Sequence, residues 1–261
     1  MRMTRLHLAA GALFGALLAA TATAGEIRVE GRVLKPGAQP LAKDMRLLKA
    51  VQAAGVRSDA YLAGAAWLST KARSEQRDLK LGLLHDLTQL LGSARIEGRP
   101  AREALARALR ERIERLPVTG RVPVSLDPIR LELEARHNRR LQAGDVISYP
   151  ERPSTVRVVG AVVAECTLPF AGLQGAAAYA AACPRHAAAD PDWLYAIQPD
   201  GEIRRFGVAP WNAEPAPTLA PGATVLVPVE PDAESGLDFA QLNGDLARFL
   251  ATQPLPAEAR P

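Results

Sequence analysis

Few residues in this chain have the types and spacing that chemistry needs. Cys166 and Cys183 are its two cysteines, and His186 follows in Cys183-Pro184-Arg185-His186. A structural zinc takes four such ligands and three are present, so the expectation is one Cys166–Cys183 disulfide and no metal. His85 lies beside an apolar helical face and His137 in the polar stretch ARHNRR. None of the histidines sits in a nucleophile elbow or an H-E-x-x-H helix. Asp190 and Asp192 flank Pro191, a turn pattern, and Glu132 and Glu134 alternate within IRLELE. Glycoside hydrolysis requires two convergent carboxyl groups, and none are evident. The residues point away from catalysis and suggest no cofactor.

Binding is the better expectation. In Val118-Thr119-Gly120-Arg121 the glycine permits close backbone approach. The Arg121 fork, with Thr119 beside it, can clamp a carboxylate, a phosphate or sugar hydroxyls. The alternative for Arg121 is an ion pair that fixes the adjoining helices to a sheet. Trp193 and Tyr195 share one face of an alternating segment, and Trp211 follows. These aromatics can stack on sugar rings or fill a core that has few aromatics.

Elements that would position these residues are legible in the patterning. Ile27–Val33 alternates and predicts a strand; Arg46–Ala54 predicts a short helix stopped by Gly55. Ala60–Leu68, Arg121–Ser125 and Ile129–Glu134 read as strands. Between them, Leu79, Leu83, Leu87 and Leu90, then Leu105, Leu109 and Ile113, recur at helical spacing on either side of Pro100. A helical hairpin over 73–116 follows. The later chain offers strand Thr155–Val163, a turn at Cys166, a helix near Leu173–Ala182, and two strands around Pro199-Asp200-Gly201. Phe239, Leu242, Leu246, Phe249 and Leu250 form a final helical stripe, suited to docking on its own domain, on a partner, or at an outer membrane.

The chain also repeats itself. VEGRVLKPGAQPL (29–41) aligns without a gap on VVGAVVAECTLPF (158–170), sharing Val29/Val158, Gly31/Gly160, Val33/Val162 and Pro40/Pro169. LQAGDVISYP (141–150) aligns on LAPGATVLVP (219–228). A small β module is therefore expected twice, with the hairpin inserted in the first copy. The domains would be 25–153, 154–230, and a helix and tail over 231–261.

At the N-terminus, MRMTR, an apolar run and Ala22-Thr23-Ala24 predict a cleavable export signal over 1–24. No cysteine follows the expected cut, so a periplasmic protein without a lipid anchor is expected. Without Arg2 and Arg5 the formal charge falls from +4 to +2, no footprint for nucleic acid.

Strand-G-x-V-x-x-P-G at 29–37, the helix ending Ala53-Ala54-Gly55 and the closing L-x-x-G-D-x-I-x-x-P resemble the soluble-ligand-binding β-grasp (SLBB) domain of polysaccharide export proteins. With LPVTGRVPV, WLYAIQPDG, APWN and PGATVLVP in order, the mature chain is similar to the GfcC-like capsule biosynthesis family. That resemblance implies an α+β fold of two tandem β-grasp domains. It also implies a non-enzymatic accessory role in capsule or exopolysaccharide assembly or export, with glycan or an export protein as partner. Two alternatives differ in class: a component of the export complex acting through protein contacts alone, and a polysaccharide-modifying enzyme. Two departures set the copies apart: Ala223 stands where the first has Asp145, and VVAEC lacks the Pro-Gly turn.

Overall fold

EIRVEG alternates outward and inward, and in the computed structural model, which describes residues 25–232 and 235–257, it is strand β1 (Glu26–Gly31) with Ile27 and Val29 buried. It pairs antiparallel with β2 (Gly37–Pro40) and parallel with β5 (Val146–Tyr149). Helix α1 (Leu47–Ala54) crosses between them, burying Leu47, Ala50, Val51 and Ala54. Strands β3 (Ala66–Leu68) and β4 (Arg121–Val122) complete the order β2-β1-β5-β3-β4. The second sheet is built from β6 (Thr155–Gly160), β7 (Cys166–Pro169), β8 (Trp193–Ile197), β9 (Ile203–Gly207) and β10 (Thr224–Val227). Its order, β7-β6-β10-β8-β9, is the same. A mixed sheet with a parallel central pair and one crossing helix is the β-grasp arrangement, here α+β and present twice. The predicted signal segment lies outside the described residues.

The repeated glycine has a physical cause. Gly31 faces Tyr149, Gly160 faces Val227, and both have positive φ, 83° and 97°. A Cβ would stand 2.0 Å from the Tyr149 carbonyl oxygen and 2.3 Å from that of Val227, so both copies require glycine. Those carbonyls accept from Arg32 N at 2.7 Å and Ala161 N at 2.9 Å.

Between β3 and β4 run α2 (Arg73–Ile96) and α3 (Pro100–Arg115), the predicted hairpin. Its apolar stripes do not join the first domain's core. Leu83, Leu87, Leu90, Leu105, Leu109 and Ile113 pack with Val156, Phe206 and Leu226 of the second domain. Helix α6 (Phe239–Ala251) lies in the same cluster, with Phe239, Leu242, Leu246 and Phe249 buried. At about 2 kcal/mol for each such side chain, self-docking outweighs exposure. The apolar stripe of α6 is thus occupied within the chain. Among the described residues no helix is long and apolar enough to cross a membrane. Helices α2, α3 and α6 join α5 (Ala176–Ala181) in one apolar cluster with the second sheet, and Leu194 to Ile197 of WLYAI are buried at successive positions.

Several expectations are corrected in detail. Ile129–Glu134 is not a strand: Pro128–Leu133 is helix α4, started by the Asp127 side chain accepting from Ile129 N at 2.9 Å. Only Leu131 of its apolar residues is buried, so the alternation of IRLELE marked no sheet face. Ala60–Leu68 holds a short 3-10 helix, Leu62–Gly64, before the short β3, Arg121–Ser125 is strand only at its first two residues, and β6 stops at Gly160. Cys166 opens β7 instead of a turn, and helix α5 spans only Ala176–Ala181.

The Cys166–Cys183 disulfide forms, with sulfurs 2.01 Å apart, and joins β7 to the end of α5. The sulfurs are thereby committed to each other. Closing a separation of 17 residues restricts the unfolded chain. Replacing both cysteines with serine is expected to cost about 3 kcal/mol in urea unfolding.

Candidate functional site

Arg121 begins β4, immediately where the chain returns from the hairpin. Gly120 has φ +80°, and a Cβ there would meet the Ser69 carbonyl oxygen at 2.2 Å. The Gln76 amide brackets the turn, accepting from Gly120 N at 2.7 Å and donating to Arg121 O at 2.8 Å. So held, the Arg121 side chain is 5% exposed and reaches across the domain junction. Its guanidinium donates to the carbonyls of Ala251 (3.2 Å) and Gln253 (3.5 Å) at the end of α6, and to that of Pro199 in the β8–β9 turn. Burial lowers its pKa well below the ordinary arginine value, to about 10, so it stays charged at neutral pH. Thr119 Oγ1 donates to Thr252 O at 2.7 Å and accepts from Arg121 N at 3.1 Å. These bonds, with Gln253 Nε2 to Pro117 O at 3.2 Å and Tyr61 OH to Pro221 O at 2.9 Å, seal the junction. Arg121 thus fixes the hairpin's exit through backbone carbonyls, where the sequence reading offered an ion pair with an acid.

Beside Arg121 opens a groove of about 500 Å³. Among the described residues three cations line it: Arg112 from α3, Arg121, and Arg157 from β6. Polar atoms come from Ser154, Thr155, Gln198 and Gln253, and apolar walls from Leu116, Ile197 and Leu250. Its described lining contains neither carboxylate nor aromatic. Glu165, outside the lining, ion-pairs with Arg112 and lies 3.4 Å from Arg157. Burial lowers Arg112 to about 10, with Arg157 and Arg115 adding repulsion, and its Nε has no hydrogen-bond partner. A half-buried cluster of like charges with a spare donor favours an anionic ligand.

The aromatic candidates lie elsewhere. Tyr195 is buried, its hydroxyl pKa raised by burial, beside a small cavity shared with Asp190 and Asn243. Trp193 is half-buried, with the Arg205 guanidinium 3.7 Å from its ring centroid. Trp211 is 70% exposed. The structure thus separates Arg121 and Thr119 from Trp193, Tyr195 and Trp211. Arg112 and Arg157 carried no sequence signal, being one of many helix-surface arginines and one exposed position of an alternating strand.

The remaining polar candidates make local bonds. Asp190 Oδ1 accepts from Asp192 N (2.8 Å) and Trp193 N (3.2 Å), the expected turn. His137 Nδ1 accepts from Ser125 N at 3.1 Å, and His186 Nδ1 from Ala188 N at 3.1 Å. His85 is exposed and bonds Gln89 within α2.

Two β-grasp domains clasped around an arginine-lined groove define the class of protein. Residues 29–149 match the family described as Capsule biosynthesis GfcC, N-terminal, and residues 165–254 match Capsule biosynthesis GfcC C-terminal. The chain belongs to the GfcC capsule biosynthesis family. It is also similar to the Uncharacterized protein YjbG of Escherichia coli (strain K12), 31% identical over 153 residues. That match spans 59% of this chain and 61% of the relative's length.

Proposed function

We propose that this protein is a non-enzymatic, periplasmic accessory factor in capsule or exopolysaccharide assembly or export, and that its junction groove holds an anionic segment of the glycan. The groove between the two β-grasp domains, with Arg112, Arg121 and Arg157 on its walls, carries this reading. Family membership supports the pathway. The signal-like N-terminus and the disulfide support an oxidising compartment. Arg121 is committed to backbone carbonyls, so Arg157, with its half-exposed side chain, supplies the accessible fork for a carboxylate or phosphate substituent.

Calorimetric titration with acidic oligosaccharides from the host's surface polymer tests this. Arg157→Ala is expected to weaken binding about tenfold without shifting the thermal midpoint, and added salt to weaken wild-type binding. Equal affinity of the variant and wild type would remove the groove from the reading. A second reading, contact with an export protein alone, draws on Leu34 and Val163, which hold matching positions in the two modules and are each 70% exposed. Salt-resistant co-purification with such a protein, in the absence of glycan, is its signature.

A further inference from the structure

Among the described residues Trp211 is the one exposed aromatic side chain. The turn that carries it is firmly built. Asn212 Oδ1 accepts from Ala209 N at 3.0 Å, and Asn212 Nδ2 donates to Asp192 O at 3.1 Å. Asp192 O also accepts from Val208 N at 2.8 Å, and Glu214 N donates to Gly207 O at 3.2 Å. A Cβ on Gly207 would meet the Asn212 main-chain oxygen at 2.0 Å, so the close approach depends on glycine. The hydrogen bonds fix the turn's backbone and leave its largest apolar ring in water.

The surroundings narrow what that ring can receive. Trp193 stands perpendicular to it, centroids 6.2 Å apart at 84°, and carries the Arg205 guanidinium over its own ring. Nearby in the chain Glu214 is exposed and pairs with Arg204 at 3.9 Å. Exposed charges and an amide lie close to the indole in the chain, together with the small exposed residues Pro210, Ala213 and Pro215. A protein partner needs roughly 800 Å² of surface, of which one exposed indole supplies only a small part. A pyranose ring fits: its C–H face packs on a π surface, and its hydroxyls meet polar groups around the edge.

We propose that Trp211 is a sugar-stacking site that takes one pyranose of a glycan, with Trp193 and Arg205 as its supporting corner. It is separate from the junction groove, whose lining includes none of these residues. A fixed indole loses little entropy on binding, which suits weak, repeated contacts along a polymer.

The three indole N–H resonances supply the test. Trp67 Nε1 donates to Asp145 at 3.0 Å in the buried part of the first domain and serves as an internal control. On titrating the full chain with short oligosaccharides of the host's surface polysaccharide, the Trp211 resonance is expected to move saturably while that of Trp67 stays. Trp211→Ala is expected to weaken this response about tenfold, as followed at Trp193, and Trp211→Phe to retain part of it. Trp211 is exposed, so both variants are expected to fold, and the Trp67 resonance reports whether they do. Arg157→Ala should leave the indole response intact, so this site and the groove can fail separately. An unmoved Trp211 resonance, an unchanged affinity in Trp211→Ala, or movement with phospholipid vesicles but not with sugar would overturn the proposal.

Discussion

Replacing Arg121 with alanine is expected to lower the unfolding free energy by about 3 kcal/mol. Its guanidinium serves carbonyls from two separate segments, the β8–β9 turn and the end of α6, and both would lose a charged donor. Relief of the buried charge offsets part of that loss. The folded-state pKa of about 10 lies below the ordinary arginine value. The unfolded chain therefore binds more protons only between those values, and stability rises with pH only there. At neutral pH the group is charged in both states, so the loss in Arg121→Ala should be the same from about pH 6 to 8. Urea unfolding checks the magnitude, and hydrogen exchange should show the segment 251–257 loosening first. Unchanged stability with lost glycan binding would instead make Arg121 a ligand clamp.

Asp145→Ala is expected to cost about 4 kcal/mol by the same measurement. The carboxylate is fully buried and accepts from Trp67 Nε1 at 3.0 Å, Thr70 N at 2.9 Å and Gln142 N at 3.0 Å. The Thr70 hydroxyl adds a fourth bond at 3.1 Å, so removing the carboxylate takes the acceptor from four donors just before α2 leaves the sheet. In a Trp67→Phe background the same change should cost about 1 kcal/mol less, because one donor is already gone.

The second copy shows why this pair is structural. Sheet registers place Ala196 where the first copy has Trp67, opposite Val225 and Ile147 respectively. Ala223 stands in place of Asp145, so the donor and its acceptor have gone together. The amide matching Gln142 N, that of Ala220, finds the side-chain oxygen of Gln198 at 3.1 Å. No hairpin departs from that sheet, and no anchor for one is needed.

What the sequence made legible follows from these physical causes. The repeated glycines answer to a carbonyl in the same sheet, and the hairpin to unbroken helical spacing with proline at the second helix's first turn. Both are local constraints, and local patterns record them. Leu83, Leu87 and Leu90 announce an apolar face, yet nothing in their spacing says that it belongs to the second domain's core. In the α4 segment the alternation of IRLELE masks the Asp127-Pro128 start signal, so its pattern suggests a strand where a helix forms. The groove was least legible. Arg112 and Arg157 lie far apart in sequence on elements of different domains, and only the packing of the hairpin brings them to one wall.

Hydrogen exchange with and without acidic oligosaccharides of the host polymer tests most directly whether the junction groove receives the glycan. Protection at 153–157, 197–199 and 250–256, reduced in Arg157→Ala, is the predicted result. Saturable binding that leaves all three segments unprotected would contradict it and move the ligand elsewhere on the surface.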